Sequence, residues 1–137
     1  MVQLILGNKG SGKTKRLIEM CNEATEKSKG HVVLIEKNNQ LSYNITYRTR
    51  LVAADEYDIQ GFDAFYGFIS GMCAANYDIT DIFVDSTLKI TGYDFEKLAG
   101  FIEKLDSLSK KAEVNIVMTV SADKSSVPET VSKYALD

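Results

Sequence analysis

The sequence has few cysteines and no long apolar run, and both absences restrict the class of protein. Cys21 and Cys73 lie far apart and form no C-x-x-C pair, so they predict neither a disulfide nor a metal site. We expect both to be small buried hydrophobes in a reducing compartment. The longest apolar stretches fall well short of the roughly 20 residues that span a membrane. Because no leader-like segment precedes the first apolar run either, the sequence predicts a soluble cytoplasmic protein.

The chain also lacks an excess of positive charge. Sixteen Lys and Arg against 19 Asp and Glu give a net charge of -3, so composition offers no argument for a nucleic-acid partner. His31 is the single histidine and, without a Cys/His cluster, is predicted to be structural. The hydrophobic fraction of 45% and charged fraction of 26% are ordinary for a globular protein, and 137 residues predict one domain over 1–137.

Against these absences stands one specific motif. Residues 7–14 read G-x-x-x-x-G-K-T and directly follow the apolar run 2–6. Between a strand and a helix, this pattern is typical of a loop that wraps around a polyphosphate, because glycines tolerate the backbone angles that aim several N–H groups inward. The predicted nucleotide-binding residues are Gly7, Asn8, Lys9, Gly10, Ser11, Gly12, Lys13 and Thr14.

Two side chains of this loop have predicted chemical roles. Lys13 is expected to reach the β- and γ-phosphates as a positive charge, and the Thr14 hydroxyl to ligate the Mg²⁺ that accompanies them. The helix predicted at about 13–29 adds the positive end of its dipole. The motif therefore predicts binding of a nucleoside triphosphate, ATP or GTP, with Mg²⁺.

Beyond the motif, short apolar runs alternate with longer amphipathic segments, which predicts an α/β fold with a parallel sheet covered by helices. We predict strands at 2–6, 31–35, 51–54, 82–85 and 114–120, and helices at about 13–29, 62–76 and 95–111. Gly30 is expected to end the first helix and Asp94 to cap the third. Residues 37–50 are predicted to form a loop, and 122–137 a tail with a short helix at 129–135.

A phosphate-binding loop needs an acidic partner at the end of another strand to hold Mg²⁺. Asp85 follows a strongly apolar strand, whereas Asp55 and Glu56 follow a weaker one. Residues 51–56 also follow the second strand with no helix long enough for a parallel crossover between neighbours. We therefore predict Asp85 as the metal-site carboxylate and a solvated strand end at 55–56.

The order of these features resembles the RecA/KaiC-type ATPase core over roughly residues 1–121. The loop at 7–14 and the pair Asp85-Ser86 carry the resemblance, which implies a three-layer P-loop NTPase fold with about five mainly parallel strands flanked by helices. It also implies Mg²⁺-dependent hydrolysis, with Glu36 at the end of the second strand positioning the attacking water. Ser121 stands where many relatives have a glutamine, and Asn8 departs from the ParA/MinD pattern. Short stand-alone bacterial proteins labelled as twitching-motility ATPases are similar too.

Two other functions stay open. The chain is similar to thymidine-kinase-type enzymes, which implies a small nucleoside or metabolite kinase, although two unpaired cysteines cannot supply their zinc-stapled lasso. The second alternative is a non-hydrolysing, nucleotide-responsive interaction module. Arg48 and Arg50 could stabilise phosphate charge within the chain or toward a second copy, and Tyr43 and Tyr47 could stack on a base. Hydrolysis is expected to be slow, or to require a protein partner or self-association.

Overall fold

The computed structural model describes residues 1–40 and 44–136, which contain five strands and five α-helices. The strands are β1 (Val2–Gly7), β2 (His31–Glu36), β3 (Arg50–Ala53), β4 (Ile79–Val84) and β5 (Asn115–Ser121). The helices are α1 (Lys13–Lys27), α2 (Phe62–Ala75), α3 (Thr87–Thr91), α4 (Phe95–Ala112) and α5 (Glu129–Ser132). Short 3₁₀ turns cover Ala54–Tyr57 and Lys124–Ser126.

The five strands form one sheet in the order β1-β5-β4-β2-β3, and every strand pair is parallel. This confirms the α/β class and a five-stranded sheet flanked by helices. The tail returns to the outer edge of β1, where the Leu4 N–H donates to the Tyr134 carbonyl at 2.9 Å and the Leu136 N–H donates to the Leu4 carbonyl at 2.8 Å. Residues 122–136 therefore cover one edge of the sheet.

The chain reverses its direction across the sheet after β3, and the helices divide between the two faces accordingly. It passes from β1 over two strand positions to β2 and then β3, and returns to β4 and β5. Right-handed crossovers place helices from opposite directions of travel on opposite faces. Leu17 and Cys21 of α1 accordingly pack in one cluster with Phe83, whereas Phe65 of α2 and Ile102 of α4 pack in the other.

The bounds of the three long helices agree with the sequence patterns to within two residues, whereas the helix predicted at 129–135 ends at Ser132 and α3 was not predicted. The Asp94 carboxylate accepts from the N–H groups of Glu96 at 3.0 Å and Lys97 at 3.1 Å, which confirms it as the cap of α4. Gly30 does not end α1, because the helix already ends at Lys27. Gly30 instead lies against the Asp78 carbonyl, where a Cβ atom would collide with that backbone oxygen.

The sequence analysis argued that residues 51–56 follow the second strand too closely for a parallel crossover between neighbours, and this prediction is wrong. Leu34 lies opposite Leu51 and Glu36 opposite Ala53 in a parallel ladder. The connection does not need a long helix because its described part packs on α1, where the Thr49 and Thr25 hydroxyl oxygens lie 2.7 Å apart. In the described part of the chain, no helix is long and apolar enough to cross the bilayer.

Candidate functional site

The loop between β1 and α1 has the backbone that its glycines allow. Gly10 and Gly12 have φ angles of 85° and 87°, in the left-handed region that other residues rarely enter. The Ser11 N–H donates to the Asn8 carbonyl at 3.1 Å, so the loop turns tightly before α1 begins. The first-turn N–H groups of a helix have no acceptor within the helix and can bind an anion.

Lys13 is a buried cation without a carboxylate at ion-pair distance among the described residues. Its ammonium group donates to the Asn8 carbonyl at 2.9 Å, and the Ser11 hydroxyl oxygen lies 3.5 Å away. Only 8% of the residue is exposed, and burial lowers the pKa of Lys13 while the charge of Asp85 opposes that shift. Because burial disfavours its charge, an anion beside Lys13 would be stabilised strongly.

Three polar residues lie near the carboxyl ends of their strands, on the side of the sheet that α1 covers. Leu34, Phe83 and Val117 pack against α1, and side chains alternate between faces along a strand. Two positions further on, the same face therefore receives the buried residues Glu36, Asp85 and Thr119. Alternation in the apolar runs thus brings polar groups from three neighbouring strands to one edge.

Asp85 is the centre of a hydrogen-bonded cluster at this edge. Its Oδ1 atom accepts from the hydroxyls of Thr14 and Thr119, each at 3.0 Å, and the Ser86 hydroxyl oxygen lies 3.3 Å from Oδ2. The Thr119 oxygen also accepts from the Ser86 N–H at 2.7 Å. The structure therefore brings together Thr14 and Asp85, the two predicted metal ligands, and adds Thr119, which the sequence analysis missed.

Glu36 lies at the same edge but farther from the loop. It follows Ile35, which is opposite Val84, so it stands beside Asp85 across the β2–β4 pair. Its Oε1 atom accepts from the Gln40 N–H at 2.7 Å, and the residue is 5% exposed. Two strands separate β2 from β1, which places the Glu36 backbone roughly 14 Å from the β1 axis.

A hollow of about 530 Å³ opens beside the 7–14 loop and is lined by Thr14, Ser86 and Thr119, the residues that hydrogen-bond with Asp85. It is also lined by Lys9, Gly10 and Gly12 of the loop, by Lys13 and Lys15 at the start of α1, by Ser121 at the end of β5, and by Lys89 and Tyr93 around α3. Other surface grooves are as large, including one of about 610 Å³ beside Tyr77 and α4, so volume alone does not identify a site.

More positive charges line this hollow than line the other grooves of the described residues. Four lysines line it, namely Lys9, Lys13, Lys15 and Lys89. Within residues 1–40 and 44–136, no carboxylate lies within the 4.0 Å ion-pair distance of any of these four ammonium groups. A protein with a net charge of -3 therefore concentrates unmatched positive charge here, which favours an anionic ligand.

The Thr14–Asp85 pair is the candidate metal position among the residues at this edge of the sheet. No group of three or more His, Cys, Asp or Glu residues capable of holding an ion occurs in the part of the chain that the structure describes. The Thr14 hydroxyl and the Asp85 carboxylate are both hard oxygen ligands, 3.0 Å apart. This pair suits Mg²⁺, which commonly takes one or two protein ligands and completes its shell with phosphates and water.

The other predicted candidates lie elsewhere. Arg48 and Arg50 line a groove with His31 near the amino ends of the strands, opposite the edge that carries the hollow. The structure therefore does not bring them to the 7–14 loop of the same chain. Tyr47 is almost fully exposed, and Tyr43 lies outside the described residues.

Asp55 and Ser121 also have defined positions. Asp55 is an exposed residue that forms an ion pair with Lys37 at 3.0 Å, which confirms a solvated strand end. Ser121 is exposed at the end of β5 and lines the hollow. Thr119 could have been found from its polar side chain within the apolar run 116–120. Lys89 carries no comparable sequence signal, because α3 is too short to show a period.

No protein-family model matches this chain, and no curated protein matches it significantly.

Proposed function

We propose that this chain binds a nucleoside triphosphate with Mg²⁺ in the hollow between the 7–14 loop and α3, as an ATPase of the P-loop type. The observation that carries the proposal is the set of four unmatched lysines over a glycine loop, beside a hydroxyl–carboxylate pair. A triphosphate satisfies both features, because its oxygens match the positive charge and its Mg²⁺ takes hard oxygen ligands.

Each group has a role in binding. The loop N–H groups would donate hydrogen bonds to oxygens of the bound phosphates. Lys13 would exchange its contact with the Asn8 carbonyl for a contact with phosphate oxygens. Thr14 and Asp85 would hold Mg²⁺, which would supply charge neutralisation to the phosphates when bound. Stabilising negative charge in a buried site is the main contribution to phosphoryl transfer.

Hydrolysis by the isolated chain is proposed to be slow. Glu36 is the candidate that orients water, yet its carboxylate accepts a backbone N–H and its strand lies three positions away from β1. No arginine of the described residues lines the hollow. Since an arginine supplied by a partner raises such rates by roughly 10³ to 10⁵, we propose that a protein partner or a second copy stimulates turnover.

One observation favours a kinase as the second candidate. A groove of about 470 Å³ between α2 and α4 shares Tyr93 with the phosphate hollow. Phe62, Tyr66 and Phe101 line it, so a small acceptor with an apolar ring could bind next to a terminal phosphate. Phosphoryl transfer to added nucleosides at a rate above transfer to water would select this function.

Calorimetry of ATP, GTP and ADP, with and without Mg²⁺, tests the binding proposal. We expect the wild type to bind a triphosphate with Mg²⁺ and Lys13→Ala to lose most of that affinity. Lys97→Ala is the matched control, because this exposed lysine of α4 lies outside the hollow. A ligand at 100 times its Kd should add about 2.7 kcal/mol to the unfolding free energy. Triphosphate binding that is equal in wild type and Lys13→Ala would refute the site.

Glu36→Gln tests the hydrolytic role separately. We expect unchanged ATP affinity and a turnover number at least 100-fold lower, because general base catalysis contributes about 10² to 10⁴. Turnover equal to that of the wild type would exclude Glu36 as the residue that activates water. If the wild type binds ATP but shows no turnover alone or with added partners, the chain is a nucleotide-responsive module instead.

A further inference from the structure

Lys89 forms the wall of the hollow opposite the phosphate-binding loop. It belongs to α3, which begins directly after Asp85 and Ser86. Its residue is exposed, and its ammonium group has no carboxylate within 4.0 Å among the residues that the structure describes. Lys89 therefore lines the hollow although no carboxylate of the described residues is close enough to attract it there.

The strand order sets the separation between Lys89 and the loop. β5 lies between β1 and β4, so the segments that follow β1 and β4 start two strand spacings apart, roughly 9.5 Å. A phosphate chain held by the loop at one end would extend across the end of β5 toward α3. The phosphates nearest the loop would meet Lys13, and the farthest phosphate would approach Lys89.

Packing and hydrogen bonds hold the backbone of α3 in place, so the Cα atom of Lys89 has a defined position. Leu88 and Ile90 on either side of it are buried at 2% exposure. The Ser86 N–H donates to the Thr119 hydroxyl, which itself donates to Asp85. A lysine on such a support loses less conformational freedom on binding than one on an unsupported loop.

We propose that Lys89 contacts the terminal phosphate of the bound nucleotide and thereby makes the chain discriminate a triphosphate from a diphosphate. This inference rests on the proposed nucleotide site and deepens it. The loop N–H groups hold the phosphates that ATP and ADP share, and Lys13 reaches the β-phosphate of both nucleotides as well as the γ-phosphate of ATP, so these groups account for only part of the discrimination. A charge-assisted contact to the third phosphate supplies the difference.

The experiment compares Mg²⁺-ATP and Mg²⁺-ADP affinities by calorimetry in the wild type, Lys89→Ala and Lys89→Arg. The wild type should bind ATP about tenfold more tightly than ADP, a ratio within the range of one hydrogen bond to a charged group. Lys89→Ala should lower that ratio several-fold by weakening ATP alone, and Lys89→Arg should retain most of it. Lys97→Ala, which removes the same charge outside the hollow, should leave the ratio unchanged.

The outcomes separate this inference from the proposed function. If Lys13→Ala abolishes binding but Lys89→Ala keeps the wild-type ATP-to-ADP ratio, the inference is overturned and the nucleotide site stands. An equal loss of ATP and ADP affinity in Lys89→Ala overturns it as well, because it would show a general charge effect. A wild type that binds neither nucleotide overturns both. Thermal melts of each variant check that the exposed substitution leaves the fold intact.

Discussion

Thr119→Val tests whether the cluster around Asp85 is held by hydrogen bonds or by packing. The Thr119 hydroxyl accepts from the Ser86 N–H at 2.7 Å and donates to Asp85 Oδ1 at 3.0 Å, and the residue is 1% exposed. Valine preserves the shape of the side chain but removes both bonds. An unsatisfied N–H costs about 1–3 kcal/mol and a bond to a charged group contributes a similar amount, so we expect a loss of about 3 kcal/mol.

Thr119→Ser is the matched control, because it keeps the hydroxyl and removes one methyl group. That change should cost about 1 kcal/mol. The assay is urea unfolding without nucleotide, in which a loss of 3 kcal/mol lowers the midpoint by roughly 1.5 M at a slope near 2 kcal/mol/M. If serine destabilises the protein as much as valine does, packing rather than hydrogen bonding holds this position, and the cluster is not the support that we describe.

Three further predictions follow from local structure. Gly12→Ala should lose triphosphate binding and about 1 kcal/mol of stability, because Gly12 has a left-handed φ of 87°. Its control is Gly100→Ala inside α4, which should gain about 0.5–1 kcal/mol of stability because the added methyl group meets open space. Asp94→Ala should cost about 1 kcal/mol in urea unfolding and leave nucleotide affinity unchanged, since it removes only the α4 cap. Burial raises the pKa of the Cys21 thiol from 9.0 to about 11. Because the folded state then keeps a proton that the unfolded state releases, stability should fall between pH 9 and pH 11, and Cys21→Ala should reduce that slope.

The sequence was sufficient to predict the loop, strands and helices whose signals lie within a few neighbouring residues. The glycine loop, the apolar runs and the cap at Asp94 are each encoded within a few residues, and the structure has an all-parallel sheet of five strands with the predicted helices around it. The position of Asp85 beside Thr14 was also accessible, because a strand that ends in a carboxylate places it at the carboxyl edge of a parallel sheet.

The features that the sequence did not reveal depend on contacts between distant residues. The insertion of β5 between β1 and β4 has no local signal, and it brings Thr119 into the Asp85 cluster. The parallel β2–β3 pair was misjudged because its connection packs on α1 through Thr49 and Thr25. The five residues of α3 cover too little of a helical repeat to show a pattern, so Lys89 was missed.

The topology supports the same site independently of the motif. The chain leaves β1 toward the face covered by α1, and it leaves β4 toward the face covered by α4. Loops that diverge to opposite faces open a crevice at the carboxyl ends of the strands, which is where open α/β sheets bind ligands. The hollow lined by Lys13 and Lys89 lies in that crevice, above Thr119 at the end of the intervening strand. Every loop from a strand to a helix in a parallel sheet lies at the carboxyl edge, but not every such loop borders a crevice between diverging loops. The place of the glycine loop beside this crevice is therefore a second argument for a ligand there.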